Sequence, residues 1–331
     1  MHSPDAATSP ATVVVISTGG TIASRDTGQG AVATGSAAEI MAHLPTSDTR
    51  IEGRDLLRMG SYLLGHQQLR EIATAVADEL VREDVTGVVV THGTDTVEET
   101  AFLLDLVHTS TKPVVLTGAQ RPADQPDTDG PRNLTDAVTV AASQQARGCG
   151  ALVVFAGRVH SPQRMRKHHT SALDPFRSSD TGPLGTVAAG VVRLPLQPNR
   201  PTPLPLPGRG FDTVRVDVVP VHPNADAALA DAAVRAGAEA IVLAGTGAGN
   251  GNHALLDWTS RAVHSGIVVG LSTRVPEGPA VPRYGNGGGV DLVAAGAVCL
   301  GGLPLYHARL LLALFCQANI PITDEAVAPY V

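Results

Sequence analysis

The stretch Thr12-Val13-Val14-Val15-Ile16-Ser17-Thr18-Gly19-Gly20-Thr21-Ile22 decides how the rest of the chain is read. Residues 12–17 form a continuous β-branched and apolar run, the pattern of a strand buried on both faces. Two glycines follow at once, so the strand must end in a tight turn whose amide N–H groups are free to converge on an anion. A second strand, Gly87-Val88-Val89-Val90-Thr91, runs into His92-Gly93-Thr94-Asp95-Thr96 and a helix over 97–107. Working outward, Leu69, Ile72, Ala73, Val76 and Leu80 fall on one face of a helix over 66–83. Residues 114–117 and 152–155 read as further strands, with a helix from about 133 to 147 between them. This rhythm predicts an α/β fold, a parallel-type sheet with flanking helices and right-handed crossovers.

Pro195, Pro198, Pro201, Pro203, Pro205 and Pro207 crowd the next stretch. Each removes a backbone donor and fixes φ, which bars the stretch from a helix or central strand and favours an extended, stiff linker. An SH3-type ligand is the competing reading, disfavoured in a chain that folds on both sides. Beyond it the alternation resumes, with strands at 214–219, 240–243 and 267–271 and helices at 225–236, 254–265 and 305–317. The expected organisation is a larger N-terminal catalytic α/β domain over 12–194, a Pro-rich linker over 195–210 and a smaller C-terminal α/β domain over 211–331. Residues 1–11 read as a loose arm.

Composition bounds the function. The 331 residues carry 24 Lys+Arg against 31 Asp+Glu, a net charge of −7 without a basic block, so nucleic acid is not an expected partner. Apolar residues at 43% and charged residues at 17% are the balance of a globular chain rather than a disordered one. No apolar run approaches the roughly 18 residues of a spanning helix, so no membrane role is expected. Cys149, Cys299 and Cys316 form no C-x-x-C pair and read as buried free thiols. With no leader-like pattern at the N-terminus, a cytoplasmic location is the expectation.

There is no phosphate-binding G-x-x-x-x-G-K-[ST] and no G-x-S-x-G, and Gly245-Thr246-Gly247-Ala248-Gly249 lacks the final glycine of a dinucleotide fingerprint. His160, His168 and His169 cluster without a ligand-type spacing, so they read as solvated loop histidines and no metal is expected. What remains is two threonine-bearing strand ends, at Thr21 and Thr94, where ligands bind in parallel sheets. Thr94, Asp95 and Thr96, with Glu98 and Glu99 behind them, also make good helix-capping chemistry. A threonine nucleophile needs a proton acceptor. Asp95 adjoins Thr94, and the chain has two lysines, Lys112 and Lys167. Lys112 precedes Pro113 at the wrong end of a strand. Lys167 follows the strand at 152–155 and can reach a carboxyl-end loop, although a surface lysine among Arg164 and Arg166 is the plainer reading.

Ile16-Ser17-Thr18-Gly19-Gly20-Thr21-Ile22-Ala23 and Thr91-His92-Gly93-Thr94-Asp95-Thr96-Val97-Glu98-Glu99-Thr100 resemble the two signature motifs of the bacterial-type L-asparaginases. Leu116-Thr117-Gly118-Ala119-Gln120-Arg121-Pro122, Asp129-Gly130-Pro131-Arg132-Asn133-Leu134 and Gly247-Ala248-Gly249-Asn250-Gly251-Asn252 extend the resemblance through both domains. It implies amide hydrolysis of L-asparagine through an acyl-enzyme, without a cofactor. Thr21 is then the nucleophile, and Thr94, Lys167 and Asp95 activate water or relay protons. Asp95 also holds the α-ammonium, Ser61 the α-carboxylate with Tyr62 beside it, and Ala119 lends its carbonyl to the amide nitrogen. The Thr94 N–H becomes the oxyanion donor, and Asn252 is the residue donated across subunits. A homo-oligomer, a tetramer built as a dimer of dimers, is the implied assembly.

The chain departs from that pattern. The glycine-bearing lid at 24–35 contains no tyrosine, where the family places one that helps activate the first threonine; Thr34 is a candidate substitute. The neighbour-subunit glutamate of secreted members has no match at 279–289. Competing readings are a glutaminase-asparaginase of loose specificity, the amidase subunit of a tRNA-dependent amidotransferase, and a non-catalytic asparagine-binding sensor. Ammonia release separates the sensor from the enzymes.

Overall fold

In the computed structural model, which describes residues 12–46 and 49–331, the opening run forms β1 (Thr12–Gly19), buried along its whole length. The arm expected over 1–11 lies outside the described residues. A 3-10 turn (Thr21–Ala23) leads into a hairpin of β2 (Ser24–Asp26) and β3 (Ala31–Ala33), then α1 (Ala37–Met41), β4 (Arg50–Met59), α2 (His66–Leu80), β5 (Val85–Thr91) and α3 (Val97–Val107). Next come β6 (Val114–Thr117), α4 (Gly130–Ala142), β7 (Ala151–Phe155), β8 (Arg158–His160), β9 (Met165–Lys167), β10 (Phe176–Ser178), β11 (Gly185–Ala188) and β12 (Val191–Arg193).

Eight of these strands form one sheet in the order β12-β11-β8-β7-β6-β5-β1-β4. β4, β1, β5, β6 and β7 are parallel, and β8, β11 and β12 extend the sheet antiparallel. Alternate side chains enter different cores, as the two-residue period of a strand requires. Val13, Val15, Val89, Val115 and Leu152 join Leu134, Ala137 and Ala141 of α4. Val14, Ile16, Val88, Val90 and Leu116 join Ile72 and Val76 of α2 and Ala101 and Leu104 of α3. Its central strands β1, β5, β6 and β7 are covered by helices on both faces, which is why they read as nearly unbroken apolar runs.

The smaller domain is a four-stranded parallel sheet of β13 (Val216–Pro220), β14 (Ala240–Gly245), β15 (Val268–Thr273) and β16 (Val298–Cys299). Its helices are α5 (Ala228–Arg235), α6 (His253–His264), α7 (Gly289–Ala294), α8 (Leu305–Gln317) and α9 (Asp324–Val327). Leu310, Leu311, Leu314 and Phe315 of α8 belong to the same apolar core as α2 and α3, so one core continues from one domain into the other. The proline-rich stretch, without helix or strand over 194–208, is packed down rather than free. Leu204 is buried and its N–H donates to Leu106 O at 2.7 Å, while Arg200 pairs with Asp105 at 3.1 Å.

The structure departs from the sequence reading in several elements. α4 starts at Gly130, three residues early, because Pro131 in the first turn forfeits a donor that a helix start leaves unused. It ends at Ser143, whose hydroxyl accepts from Gln145 N and opens a separate 3-10 turn. β4 was not anticipated, because Arg50, Glu52, Arg54, Asp55 and Arg58 break its apolar pattern, as befits a sheet edge. Cys149 is buried and Cys299 and Cys316 are half-buried, all three free. No helix among the described residues is long and apolar enough to cross a membrane.

Gly87 tests the close seating of α4 on the sheet, since a Cβ there would run into the carbonyl of Ala141. Gly87→Ala is expected to lower stability by about 1–3 kcal/mol, measured by urea denaturation; an unchanged midpoint would contradict the packing described.

Candidate active site

Three neighbouring parallel strands deliver the site. β4, β1 and β5 end side by side, and the residues just past their carboxyl ends are Ser61, Thr21 and Thr94. They come together because two glycines let the backbones touch. Gly20 sits at φ +77°, and a Cβ on it would overlap the Gly93 backbone; a Cβ on Gly93 would lie 2.6 Å from Ser61 Oγ. Hydrogen bonds fix the arrangement. Thr18 Oγ1 donates to Thr91 O at 2.8 Å, Gly20 N to Met59 O at 3.0 Å and Thr96 Oγ1 to Ser61 O at 3.0 Å.

These ends form the floor of a pocket of about 380 Å³ lined by Thr21, Ser61, Tyr62, Thr94 and Asp95. Ala31, Val32 and Ala33 of the β2–β3 hairpin form another wall, with Arg58 nearby. Ser61 Oγ is buried and has no hydrogen-bond partner among the described residues, so it can serve a ligand oxygen. Tyr62 is 69% exposed, its ring beside Gly60.

Lys167, on β9, reaches the pocket from outside the main sheet. Its Nζ donates to Thr94 Oγ1 at 2.8 Å and to Asp95 Oδ1 at 2.7 Å. One ammonium therefore bridges the hydroxyl and the carboxylate that the capping reading would have left as simple helix caps. Neither Thr96, the N-cap of α3, nor Asp129, that of α4, makes a side-chain cap bond. Asp129 instead accepts from Gln120 N and Arg121 N at 3.0 Å each, and Asn133 Nδ2 donates to Gly118 O at 3.0 Å. Together they hold the loop that carries Ala119, itself fully buried.

Not every expected residue lies in this pocket. Asn252 caps α6, accepting from Leu255 N at 2.9 Å and donating to Ala225 O at 2.8 Å, within the smaller domain. Thr34 is exposed and is not part of the pocket wall; the hydroxyls that line it belong to Thr21, Ser24, Ser61, Tyr62 and Thr94. Lys112 donates to Leu80 O and Arg82 O at the far end of the sheet. His160 is not a solvated loop residue. It lies buried on β8 with Nδ1 2.8 Å from Ser178 Oγ, while His168 and His169 are exposed. No metal-type cluster of His, Cys, Asp or Glu occurs among the described residues.

The sequence reading gave no role beyond helix-end chemistry to Glu98, whose buried carboxylate accepts the main-chain N–H of Lys167. Burial pushes the Glu98 carboxyl up, against the pull of that bond and of Arg166 and Lys167. Burial, with Glu98 adding to it, also pushes Glu99 up to about 7. His92 is driven down to about 4 by burial and lies 2.9 Å from Thr100 Oγ1 and 2.8 Å from Gly93 O, bracing the turn as a neutral ring.

Residues 12–200 match the family model "Asparaginase, N-terminal", and residues 215–324 match "Glutaminase/Asparaginase C-terminal domain". The L-asparaginase 2 of Bacillus subtilis is 34% identical over 324 residues, covering 94% of this chain and 84% of that protein. A probable periplasmic L-asparaginase of Haemophilus influenzae is 36% identical, over 80% of this chain and 75% of its own. A glutaminase-asparaginase of Pseudomonas fluorescens is 32% identical, over 82% and 78%. The fold and these matches define an amidohydrolase. The chain belongs to the asparaginase family.

His160 gives a test of the buried histidines. Burial lowers it to about 4 from an ordinary 6.5. The unfolded chain therefore takes up a proton first as pH falls, and the contribution present above pH 6.5 is lost toward pH 4. Between pH 7 and pH 5 the loss of stability is expected to be smaller by about 2 kcal/mol in His160→Gln than in the wild type. Urea denaturation at both pH values checks this; identical pH dependence in the two proteins would contradict it.

Proposed function

We propose that this enzyme is an L-asparaginase, hydrolysing L-asparagine to L-aspartate and ammonia in two steps through a threonine ester. The observation that carries the reading is the Lys167–Thr94–Asp95 bridge facing Thr21 across one pocket. Thr21 Oγ1 attacks the side-chain amide carbon, the amide C–N bond breaks, and the nitrogen leaves as ammonia after gaining a proton. Water then attacks the ester, Thr21 regains its proton, and aspartate departs. Thr94, Lys167 and Asp95 form the chain that moves protons to and from the attacking water. A backbone N–H at Thr94 donates to the oxyanion, and the Ala119 carbonyl receives the amide nitrogen. The route uses side chains and water and needs no cofactor.

Substrate recognition follows from charge. Asp95 is 55% exposed at the pocket and suits an α-ammonium, and Ser61 Oγ suits an α-carboxylate with Tyr62 as its neighbour. Asn252 completes the site from a second subunit of a homo-oligomer, a tetramer arranged as a dimer of dimers. The three unpaired cysteines suit a reducing, cytoplasmic setting. A second reading, hydrolysis of glutamine as well, is favoured by the pocket's size and by the relative named for both activities. One methylene is worth only about 1–3 kcal/mol of discrimination.

Ammonia release on L-asparagine and L-glutamine, side by side, tests the proposal. Release from asparagine well above that from glutamine is expected. Comparable release makes the enzyme a glutaminase-asparaginase, and asparagine binding without release makes it a sensor. Thr21→Ala is expected to fold and to lose turnover; substantial remaining activity would remove the nucleophile assignment. Lys167→Met is expected to lower kcat by about 10²–10⁴-fold, whereas Asp95→Ala should mainly raise KM. A mild Lys167→Met effect, or an unchanged KM in Asp95→Ala, overturns the corresponding role.

A further inference from the structure

Lys167 lies on a short strand that the main sheet does not locate. β9 spans three residues and pairs with β10 alone in a two-stranded sheet of its own. Its ammonium nevertheless meets two partners at 2.7–2.8 Å, so other contacts must fix where the strand sits. Glu98 makes the most direct of them. A glutamate in the first turn of a helix ordinarily faces solvent and complements the helix dipole. Glu98 is only 8% exposed, and its Oε2 accepts the main-chain N–H of Lys167. Burying a carboxylate is costly unless it is well bonded. Thr94 and Asp95 lie just before the start of α3 and Glu98 within its first turn. One helix end thus grips both ends of the same lysine, its main-chain nitrogen and its ammonium.

We infer that Glu98 is a positioning residue for Lys167, setting the reach of its ammonium to Thr94 by holding the lysine's main-chain N–H. The smaller domain steadies the same grip. His307, buried on α8, stacks on Phe102 of α3 with ring centroids 4.5 Å apart. Its Nε2 lies 3.1 Å from Glu98 O and its Nδ1 3.3 Å from Gln163 O, in the turn that leads into β9. Arg164 donates to Gly302 O at 3.2 Å and Arg166 to Pro276 O at 3.3 Å, tying the lysine-bearing segment to the same domain. The shared core thereby becomes part of the reaction geometry.

The inference rests on the role proposed for Lys167, so Lys167→Met is measured beside it. Glu98→Asp keeps the charge but withdraws the acceptor by about 1.5 Å, one carbon–carbon bond. It is expected to lower kcat on L-asparagine by about 100-fold, the scale of an ångström misplacement, with KM unchanged. Glu98→Gln keeps the reach and an acceptor oxygen, and is expected to retain most of the wild-type kcat. His307→Leu, which loosens the strand from the other side, is expected to lower kcat at constant KM. Wild-type kcat in Glu98→Asp, or an equal loss in Glu98→Gln, overturns the proposal, as does unchanged kcat in His307→Leu should Glu98→Asp not fold. A mild effect of Lys167→Met would instead strike the reading of the lysine itself.

Discussion

Where β1 and β5 end, Gly20 and Gly93 bring two backbones into contact with no space for a side chain on either. The candidate active site is arranged around that contact. A Cβ on Gly20 would push the two turns, and with them Thr21 and Thr94, apart, while one on Gly93 would run into Ser61. Positive φ at Gly20 also turns the chain away from the sheet immediately, so that Thr21 starts a 3-10 turn at the pocket instead of extending the strand. Ser61 joins because Gly93 leaves room for its hydroxyl, which buries a polar atom and leaves it without a protein partner. The close contact therefore fixes the spacing of two hydroxyls and one orphaned donor around a single cavity.

The second requirement is a lysine held against Thr94 and Asp95. Lys167 is 16% exposed in its side chain, and two hydrogen bonds hold its head group. Its strand lies between α3 and the smaller domain, and the apolar core that joins them runs through α8. The smaller domain thus braces the segment that carries Lys167. The proline-rich stretch supports the same arrangement, strapped to the end of α3 by Leu204 and Arg200. A loosely tethered second domain would leave β9 without its outer supports.

Much of this was legible in the amino-acid sequence, and the reasons are physical. Strands β1, β5, β6 and β7 are buried on both faces and so announce themselves as apolar runs. Helix α2 showed in its periodicity, and α3 and α8 as the segments of helical length between strands or beyond them. The first threonine turn was visible because a glycine pair closes a buried strand, and the second because Thr94 and Asp95 follow directly on another such strand. β4 was hidden by its edge position, where charge is tolerated, and β8 to β12 by being three or four residues long. Glu98 could not be recognised, since a glutamate in a first helical turn is indistinguishable in sequence from a solvated dipole partner. Its role depends on a contact 69 residues away. His160 was misread for the related reason that a three-residue buried strand resembles a loop.

The lid hairpin lines the pocket with Ala31, Val32 and Ala33, so the wall facing Thr21 from that side carries no titratable group. In the proposed reaction, proton movement therefore falls to Thr94, Lys167 and Asp95, and Thr21 is the residue proposed to become acylated. The most direct test is to mix the wild-type enzyme with L-asparagine, quench with acid during turnover, digest and weigh the peptides. The proposed nucleophile predicts an aspartyl ester on the peptide containing Thr21. An ester on the peptide containing Thr94 instead would contradict it, exchanging the roles of the two threonines.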